Sequence, residues 1–292
     1  MHVSNATLFL TATLIWGSTW LAIKYQLGAV APEVSVVYRF ALASAILTAW
    51  CAATGTSLRF ARRDHLFLAG IGATMFGLNY VCIYWAEQHV ASGLVAVVFS
   101  TIVVMSPVGM RLAFGAPLTW RTLVAAALGV GGVALLFVPE LDAARHGGSA
   151  ALGIAFALGA TVLATIGNLI AVRNHQAGLP TFPATAWGMA YGALVASLTA
   201  TITGVRWSFD ASPPYVASLL YLAVFGSVVA FGVYLTLLKR VGAGPSSFVG
   251  VATPVIALLL TTLFEGYHWT WPAVLGVALA VVGNWLALRR QA

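Results

Sequence analysis

Charged residues are scarce in this 292-residue chain: they make up 7% of it, against about 25% in soluble domains. This scarcity excludes a water-soluble enzyme of ordinary composition. Hydrophobic residues account for 61% of the chain, and the mean hydropathy is +0.95. The composition therefore predicts a protein embedded in a lipid bilayer.

Motifs for metal, disulfide or nucleotide chemistry are also missing. Cys51 and Cys82 both fall within long apolar stretches without CxxC spacing, which argues against a zinc site or a structural disulfide. The six histidines include no HExxH pair, and no GxxxxGK[ST] loop is present to hold ATP phosphates. We therefore predict no cofactor, no metal and no ATP hydrolysis. No basic segment precedes the first apolar stretch, so we expect it to be a retained helix rather than a cleaved signal.

Long uncharged stretches fill most of the chain. Cutting it at every charged residue leaves ten stretches of 18 or more residues, and a membrane-spanning helix needs about 20. We therefore predict an all-α polytopic membrane protein with ten transmembrane helices around a central cavity. The predicted spans are residues 6–24, 33–54, 65–86, 91–112, 119–138, 150–172, 181–204, 213–238, 244–264 and 270–288.

Basic residues lie mostly on one side of this topology. With both termini in the cytoplasm, ten Lys and Arg residues flank the spans on the inner side and three on the outer side. This is the asymmetry of the positive-inside rule. Because the inner charges are scattered over separate flanks, the net charge of +7 reflects membrane topology, and we expect no nucleic-acid partner.

The two halves of the chain resemble each other weakly. Residues 118–135 align with 269–286 at an offset of 151, which pairs Gly132 with Gly283. Because five helices are an odd number, two such units would be inverted repeats, an architecture typical of secondary transporters. We expect the repeats to occupy residues 1–145 and 146–292, joined by a linker around residues 139–149. Chance likeness between hydrophobic helices is the alternative.

Several motifs resemble the EamA-type drug/metabolite transporter superfamily over essentially the whole chain. They are Ile15-Trp16-Gly17-Ser18-Thr19-Trp20, Arg39, Ala91-Ser92-Gly93-Leu94 with Ser100-Thr101, Thr253-Pro254 and Glu265. The resemblance implies a multi-pass secondary transporter of the bacterial inner membrane that exports amino acids, with aromatic ones preferred, and some toxic organic compounds. We expect it to act as a monomer. The chain departs from the family at Ile102, where a proline is common.

Aromatic and amide side chains recur on single faces of the predicted helices, with spacings of three, four or eight residues. An unpaired polar atom in the membrane costs several kcal/mol. These side chains should therefore face one another, water or a cavity that suits a flat ligand with a small polar head. Packing against helices or lipid is the alternative. The predicted substrate-binding residues are Trp16, Trp20, Asn79, Tyr80, Tyr84, Asn168, Trp187, Tyr191 and Tyr234.

Four further residues are predicted to serve charge balance or conformational change. Lys24 and Arg39 are the cations nearest the predicted cavity, and Arg39 either belongs to a functional site or snorkels to the outer headgroups. Pro107 and Pro254 are expected to interrupt helices 4 and 9 and to free backbone carbonyls. In helix 7, the pair Gly188 and Gly192 predicts a close helix contact.

Other functions stay open at this point. Sugars, nucleotide sugars and cationic drugs are conceivable substrates within the family, and a passive channel is also conceivable. An intramembrane enzyme would need acids, histidines or an activated nucleophile at membrane depth, and no acid or histidine is predicted deep within a span. For the same reason we expect transport without obligatory proton coupling.

Overall fold

The computed structural model describes residues 3–118, 120–136, 149–241 and 243–288, which form helices and turns with no strand among them. We label the helices α1 to α10 in chain order. They are α1 (Asn5–Lys24), α2 (Pro32–Ala53), α3 (Arg62–Glu87), α4 (Ser92–Phe114), α5 (Trp120–Leu136), α6 (Ala150–Gln176), α7 (Thr181–Ile202), α8 (Pro213–Leu220, Tyr221–Val229 and Ala230–Val241), α9 (Ala243–Phe264) and α10 (Trp271–Leu288).

Six of these helices are long and apolar enough to cross a membrane, namely α1, α2, α3, α4, α6 and the Pro213–Tyr234 part of α8. Shorter apolar segments follow in α5, α9 and α10. The protein is thus an all-helical polytopic membrane protein, as its composition predicts. Residues 139–148 of the predicted linker lie outside the described residues, and its last residue, Ser149, is described.

Local sequence signals explain where several helices begin and end. The Ser4 hydroxyl accepts a hydrogen bond from the Thr7 backbone N–H at 3.1 Å and so caps α1. Both α2 and α8 begin at a proline, whose missing N–H costs nothing in a first turn. Gly115 ends α4 with a φ of 69°, a conformation that favours glycine.

Two helices contain π-helical segments that the apolar pattern did not predict. They are Gly72–Gly77 in α3 and Tyr221–Val229 in α8. Each includes a Phe-Gly pair, and the two pairs are separated by 149 residues, close to the offset of the weak internal repeat. The third and eighth helices therefore share a local distortion as well as a position in their halves.

The small residues of α7 form the predicted helix contact, and α3 is the helix they meet. A Cβ atom added to Gly192 would lie 2.6 Å from the Cβ atom of Phe76. One added to Gly188 would lie 2.7 Å from Cγ2 of Ile71. The Gly188–Gly192 prediction is confirmed, because any larger side chain would force the helices apart.

Replacing Gly192 by Ala should lower the thermal unfolding midpoint of the detergent-purified protein. Overpacking of this kind typically costs about 1–3 kcal/mol. Gly159→Ala in α6 is the matched control, because a Cβ there meets no atom within 4 Å. That change should leave the midpoint unchanged or raise it, since glycine costs about 0.5–1 kcal/mol in a helix. Equal midpoints for the two variants would contradict the packing described here.

Helices α5 and α10 pack through the two glycines that the internal alignment pairs. A Cβ on Gly132 would lie 2.6 Å from the Gly276 carbonyl oxygen of α10. A Cβ on Gly283 would lie 2.9 Å from the Ala125 carbonyl oxygen of α5. Each glycine thus lets its own backbone approach the other helix, which is the reciprocity expected of two equivalent helices.

Neither Pro107 nor Pro254 lies at a break in its helix, and the freeing of a backbone carbonyl at each stays a prediction. Helix α4 breaks at Thr101 and continues through Pro107, while α9 is continuous through Pro254. At the break, the Thr101 hydroxyl donates to the Val98 carbonyl at 2.6 Å, and side-chain bonds of this type bend helices. The break directly precedes Ile102, so the helix is interrupted there without a proline.

Candidate functional site

Five aromatic rings from α1, α2, α3 and α8 form a connected series, which we call the central group: Trp16, Phe231, Phe76, Phe40 and Tyr80. Their successive ring centroids are 5.4, 6.3, 5.5 and 4.8 Å apart. These separations are those of edge-to-face or tilted aromatic pairs. The structure thus brings two of the predicted binding residues, Trp16 and Tyr80, into one aromatic network, in which Phe40 is a member that the sequence did not single out.

Arg39 lies inside the protein beside this group, with only 1% of its surface exposed. Its guanidinium carbon is 4.4 Å from the ring centroid of Tyr80 and 5.2 Å from that of Phe40. Its Nε donates to the Ser227 hydroxyl at 3.4 Å, whereas Nη1 has no hydrogen-bond partner among the described residues. Arg39 therefore does not snorkel to the surface, and the functional alternative remains.

The π-helical segment of α8 positions Ser227 for this contact. Its wider turn lets the Ser227 hydroxyl donate to the Leu222 carbonyl, five residues earlier, at 2.9 Å. In the same segment, the Gly226 carbonyl accepts a hydrogen bond of 3.2 Å from the indole Nε1 of Trp16. A local departure from the α-helix thus connects α8 to both α1 and α2 at the central group.

Three further predicted binding residues are held by protein contacts rather than facing open space. Trp20 is 8% exposed and packs against Phe99 at 5.5 Å. Tyr84 is fully buried and donates to the Gln26 side-chain oxygen at 2.6 Å. Asn79 is 2% exposed, donates to a backbone carbonyl of its own helix, and leaves its Oδ1 atom without a partner in the described part of the chain.

Two predicted residues lie elsewhere, in what we call the His65 group. The Trp187 indole donates to the Leu58 carbonyl at 2.9 Å, and its ring stacks on that of Tyr191. The Tyr191 hydroxyl and His65 Nδ1 share a hydrogen bond of 2.9 Å. His65 precedes Tyr80 by fifteen residues, or about 22 Å of helix. The single cavity expected to join all these residues is therefore not what this conformation shows.

The two remaining predicted binding residues, Tyr234 and Asn168, lie on α8 and α6. The Tyr234 ring is 5.2 Å from that of Trp16 at the edge of the central group. Asn168 is half-buried on α6, next to Gly167, which packs against Met75 of α3. A shallow apolar depression without room for a water molecule lies apart, between α4, α9 and α10, and includes Pro254 in its lining.

Lys24 belongs to a cluster of charged and polar groups at the ends of α1, α3 and α9. Its Nζ donates to the backbone carbonyl of Glu87 at 2.9 Å and lies 3.9 Å from Oε2 of Glu265. Glu265 in turn accepts hydrogen bonds from the Ser92 backbone N–H and hydroxyl and from the Thr261 hydroxyl. We call these five residues the charge cluster.

The charge cluster corrects one expectation from the sequence. The sequence predicts Lys24 and Arg39 as the only charges that approach the cavity, with the outer acids at helix ends. Glu87 does end α3, but its exposure is 0%, and the Glu265 side chain is only 10% exposed. Hydropathy places a carboxylate at the edge of a span without revealing that neighbouring helices bury it.

A family model described as the EamA-like transporter family matches residues 4–138 and again residues 151–289. Together the two matches cover most of the chain. The protein therefore belongs to the EamA-like transporter family, and it is a membrane transporter.

Curated relatives match along nearly the whole chain. Protein PagO of Salmonella typhimurium is 25% identical, covering 98% of this chain and 93% of its own. The "Uncharacterized inner membrane transporter YedA" of Escherichia coli is 27% identical, over 94% and 89%. The "Probable terminal-alkyne amino-acid exporter" of Streptantibioticus cattleyicolor is 26% identical, over 99% and 95%.

A solved structure titled "Crystal structure of protein" shares the fold. Its TM-score is 0.66 at 19% identity, with 97% of this chain and 96% of that chain covered. At this identity the similarity concerns the arrangement of helices alone.

Proposed function

We propose that this transporter is a secondary carrier that exports amino acids, with aromatic ones preferred, across the bacterial inner membrane without ATP. The observation that carries the proposal is the buried Arg39 guanidinium. Its Nη1 has no hydrogen-bond partner within the described residues, and the guanidinium lies against the rings of Phe40 and Tyr80. A buried donor without a partner is costly, and a ligand carboxylate would satisfy it with a charge-assisted hydrogen bond.

An aromatic amino acid matches both parts of this site. Its carboxylate would bind Arg39, while its ring would stack among the central group, where aromatic pairs contribute about 0.5–1.5 kcal/mol each. Cationic drugs fit less well, because the charge of Arg39 would repel them. A relative named as an amino-acid exporter supports the same substrate class.

The other predicted residues would line the path of the substrate as the carrier changes conformation. Near the central group these are Trp20, Asn79, Tyr84, Asn168 and Tyr234. Trp187 and Tyr191 of the His65 group would contact the substrate where it enters from the cytoplasm. Because substrate must pass between the two groups, about 22 Å apart along α3, both sets of contacts fit alternating access.

Alternating access would follow from two inverted five-helix repeats, residues 1–145 and 146–292, within a ten-helix monomer. Three observations support this arrangement. The family model matches the two halves separately, α3 and α8 both contain a π-helical segment, and α5 and α10 pack reciprocally through Gly132 and Gly283. Saturable counterflow of labelled phenylalanine in proteoliposomes tests the proposed function.

The proposed topology places the loop at Ser57 in the cytoplasm and Ser149 outside, and both residues are exposed. Single cysteines at these two positions, in a chain whose Cys51 and Cys82 are replaced by Ser, should react from opposite sides. An impermeant maleimide added to intact cells should label the variant at 149 and spare the variant at 57 until the cells are opened. Labelling of both in intact cells would contradict the orientation.

A further inference from the structure

The outer part of α4 is a short helix in its own right. Residues Ser92–Ser100 form this outer segment, and the helix resumes at Ile102 after the break at Thr101. In the proposed topology the outer segment begins at the outer face and reaches about 13 Å into the membrane. It packs between α1, α6 and α9. The break places a hinge between the outer and inner parts of α4, since hinges are often residues at the ends of helices.

A carboxylate at the end of α9 holds the first turn of the outer segment. Glu265 accepts hydrogen bonds from the backbone N–H and the hydroxyl of Ser92. One turn earlier, the Thr261 hydroxyl lies 3.0 Å from the Ser92 hydroxyl and accepts from the Gly93 N–H at 2.9 Å. A carboxylate suits a helix N-terminus, where N–H groups are free and the helix dipole is positive. With Lys24 of α1 beside Glu265, the charge cluster joins three helices at the outer face.

An aromatic pair lies beneath the charge cluster on the same helices. Lys24, Trp20 and Trp16 follow at four-residue intervals on one face of α1, about 6 Å apart along its axis. Trp20 is 8% exposed, and its ring centroid is 5.5 Å from that of Phe99 in the outer segment. Along α1, the Trp20–Phe99 pair therefore separates Trp16 of the central group from the solvent that reaches the half-exposed Lys24 side chain.

We propose that the outer segment of α4 is the outer gate of the substrate site, closed in this conformation. Glu265 is its latch, the Trp20–Phe99 pair is its seal, and Thr101 is its hinge. On opening, the polar contacts of the charge cluster exchange for contacts with water, which has a modest net cost at a solvent-exposed edge, and Phe99 moves away from Trp20. This inference rests on the proposed export function, since the open gate would release the exported amino acid outward between α1 and α4.

The contact between α3 and α6 differs from the gate, because these two helices pack closely at both ends. A Cβ atom on Gly153 would lie 2.9 Å from the Cβ atom of His89, directly after α3. One on Gly167 would lie 2.8 Å from the Cβ atom of Met75. We therefore expect α3 and α6 to move as one unit when the gate opens, which provides a control for the test below.

A disulfide across the latch tests the gate in purified full-length protein in proteoliposomes. Ser92→Cys and Thr261→Cys are combined in a chain whose Cys51 and Cys82 are replaced by Ser. The two cysteines should form a disulfide on oxidation, because the native hydroxyl oxygens are 3.0 Å apart. Oxidation should abolish phenylalanine counterflow and reduction should restore it, while each single variant keeps counterflow under both conditions.

A crosslink between α3 and α6 is the matched control. His89 Nδ1 and the Ser149 hydroxyl are 2.8 Å apart at the same outer face. Joining His89→Cys to Ser149→Cys with a short bifunctional thiol reagent should leave counterflow unchanged. Counterflow by the fully oxidised latch pair at the wild-type level, or its loss on crosslinking the control pair, would overturn the assignment of the gate to α4.

Access to the central group tests the latch without transport. Thr19 is 8% exposed and lies beside the group, since its Cγ2 would be 2.8 Å from a Cβ atom on Gly226. In the chain without other cysteines, Thr19→Cys should react slowly with an impermeant maleimide added to intact cells. Glu265→Gln should make this reaction severalfold faster, because the neutral amide holds the first turn of the outer segment less strongly.

Asp210→Asn is the matched control for the latch. Asp210 also lies at the outer face, but its carboxylate accepts hydrogen bonds from Ser212 of its own loop at 2.8 Å. This change should leave the labelling rate of Thr19→Cys unchanged. Equal rates with and without Glu265→Gln would overturn the latch. If no amino acid undergoes counterflow but Glu265→Gln alone speeds the labelling, the substrate proposal fails and the gate stands.

Discussion

Replacing Arg39 by Gln is expected to weaken phenylalanine binding by about tenfold to a hundredfold. Hydrogen bonds to charged groups contribute about 1.5–3 kcal/mol, and 1.4 kcal/mol corresponds to a factor of ten. The physical reason is that the buried guanidinium presents an unpartnered Nη1 beside the central group. Equilibrium binding of labelled phenylalanine to the purified variants measures the effect.

A ligand without a carboxylate distinguishes recognition from a role in folding. Phenethylamine has the phenyl ring and the amine of phenylalanine but no carboxylate. Its affinity should stay unchanged or improve in Arg39→Gln, because a positive charge near its ammonium is removed. Arg39→Lys should bind phenylalanine with intermediate affinity, since it keeps the charge but loses the planar fork of donors. An equal loss for both ligands in Arg39→Gln would show that Arg39 only supports the fold.

The second large effect is expected at Tyr80, whose ring contacts both the Arg39 guanidinium and the Phe40 ring. Tyr80→Ala should weaken phenylalanine binding up to about tenfold, because one aromatic stacking contact contributes about 0.5–1.5 kcal/mol. Tyr80→Phe should bind almost as wild type, since the ring remains. Trp50→Ala, which removes an exposed ring, is the control and should have no effect. Wild-type affinity in Tyr80→Ala would assign Tyr80 to packing alone.

The helices were predictable because the sequence encodes them locally. Charges fall between apolar stretches, and prolines such as Pro32 and Pro213 mark helix starts. The π-helical segments were not predictable from apolar periodicity. A π turn shifts the residues that share a helix face, and this shift leaves no mark on the apolar pattern when every face of the helix is apolar. A shared Phe-Gly pair, Phe76-Gly77 and Phe225-Gly226, was the available signal.

The candidate site was predictable only in part. Helical spacing correctly placed Trp187 and Tyr191 on one face, and their rings do stack. It did not reveal that this face meets His65 rather than Tyr80, because the partner of a face depends on contacts between distant helices. Glu87 was missed for a related reason: its burial arises from helices distant in sequence, whereas its position at a helix end is visible locally.

Counterflow in proteoliposomes tests the central claim most directly. Vesicles containing the purified protein are loaded with unlabelled phenylalanine and diluted into a trace of the labelled amino acid. A carrier that alternates between two faces exchanges one for the other, so the label should rise transiently above its equilibrium level and saturate with concentration. Protein-free vesicles supply the background. Label that only equilibrates, without an overshoot and in proportion to concentration, would indicate a channel, and no uptake of any amino acid above background would contradict the proposed function.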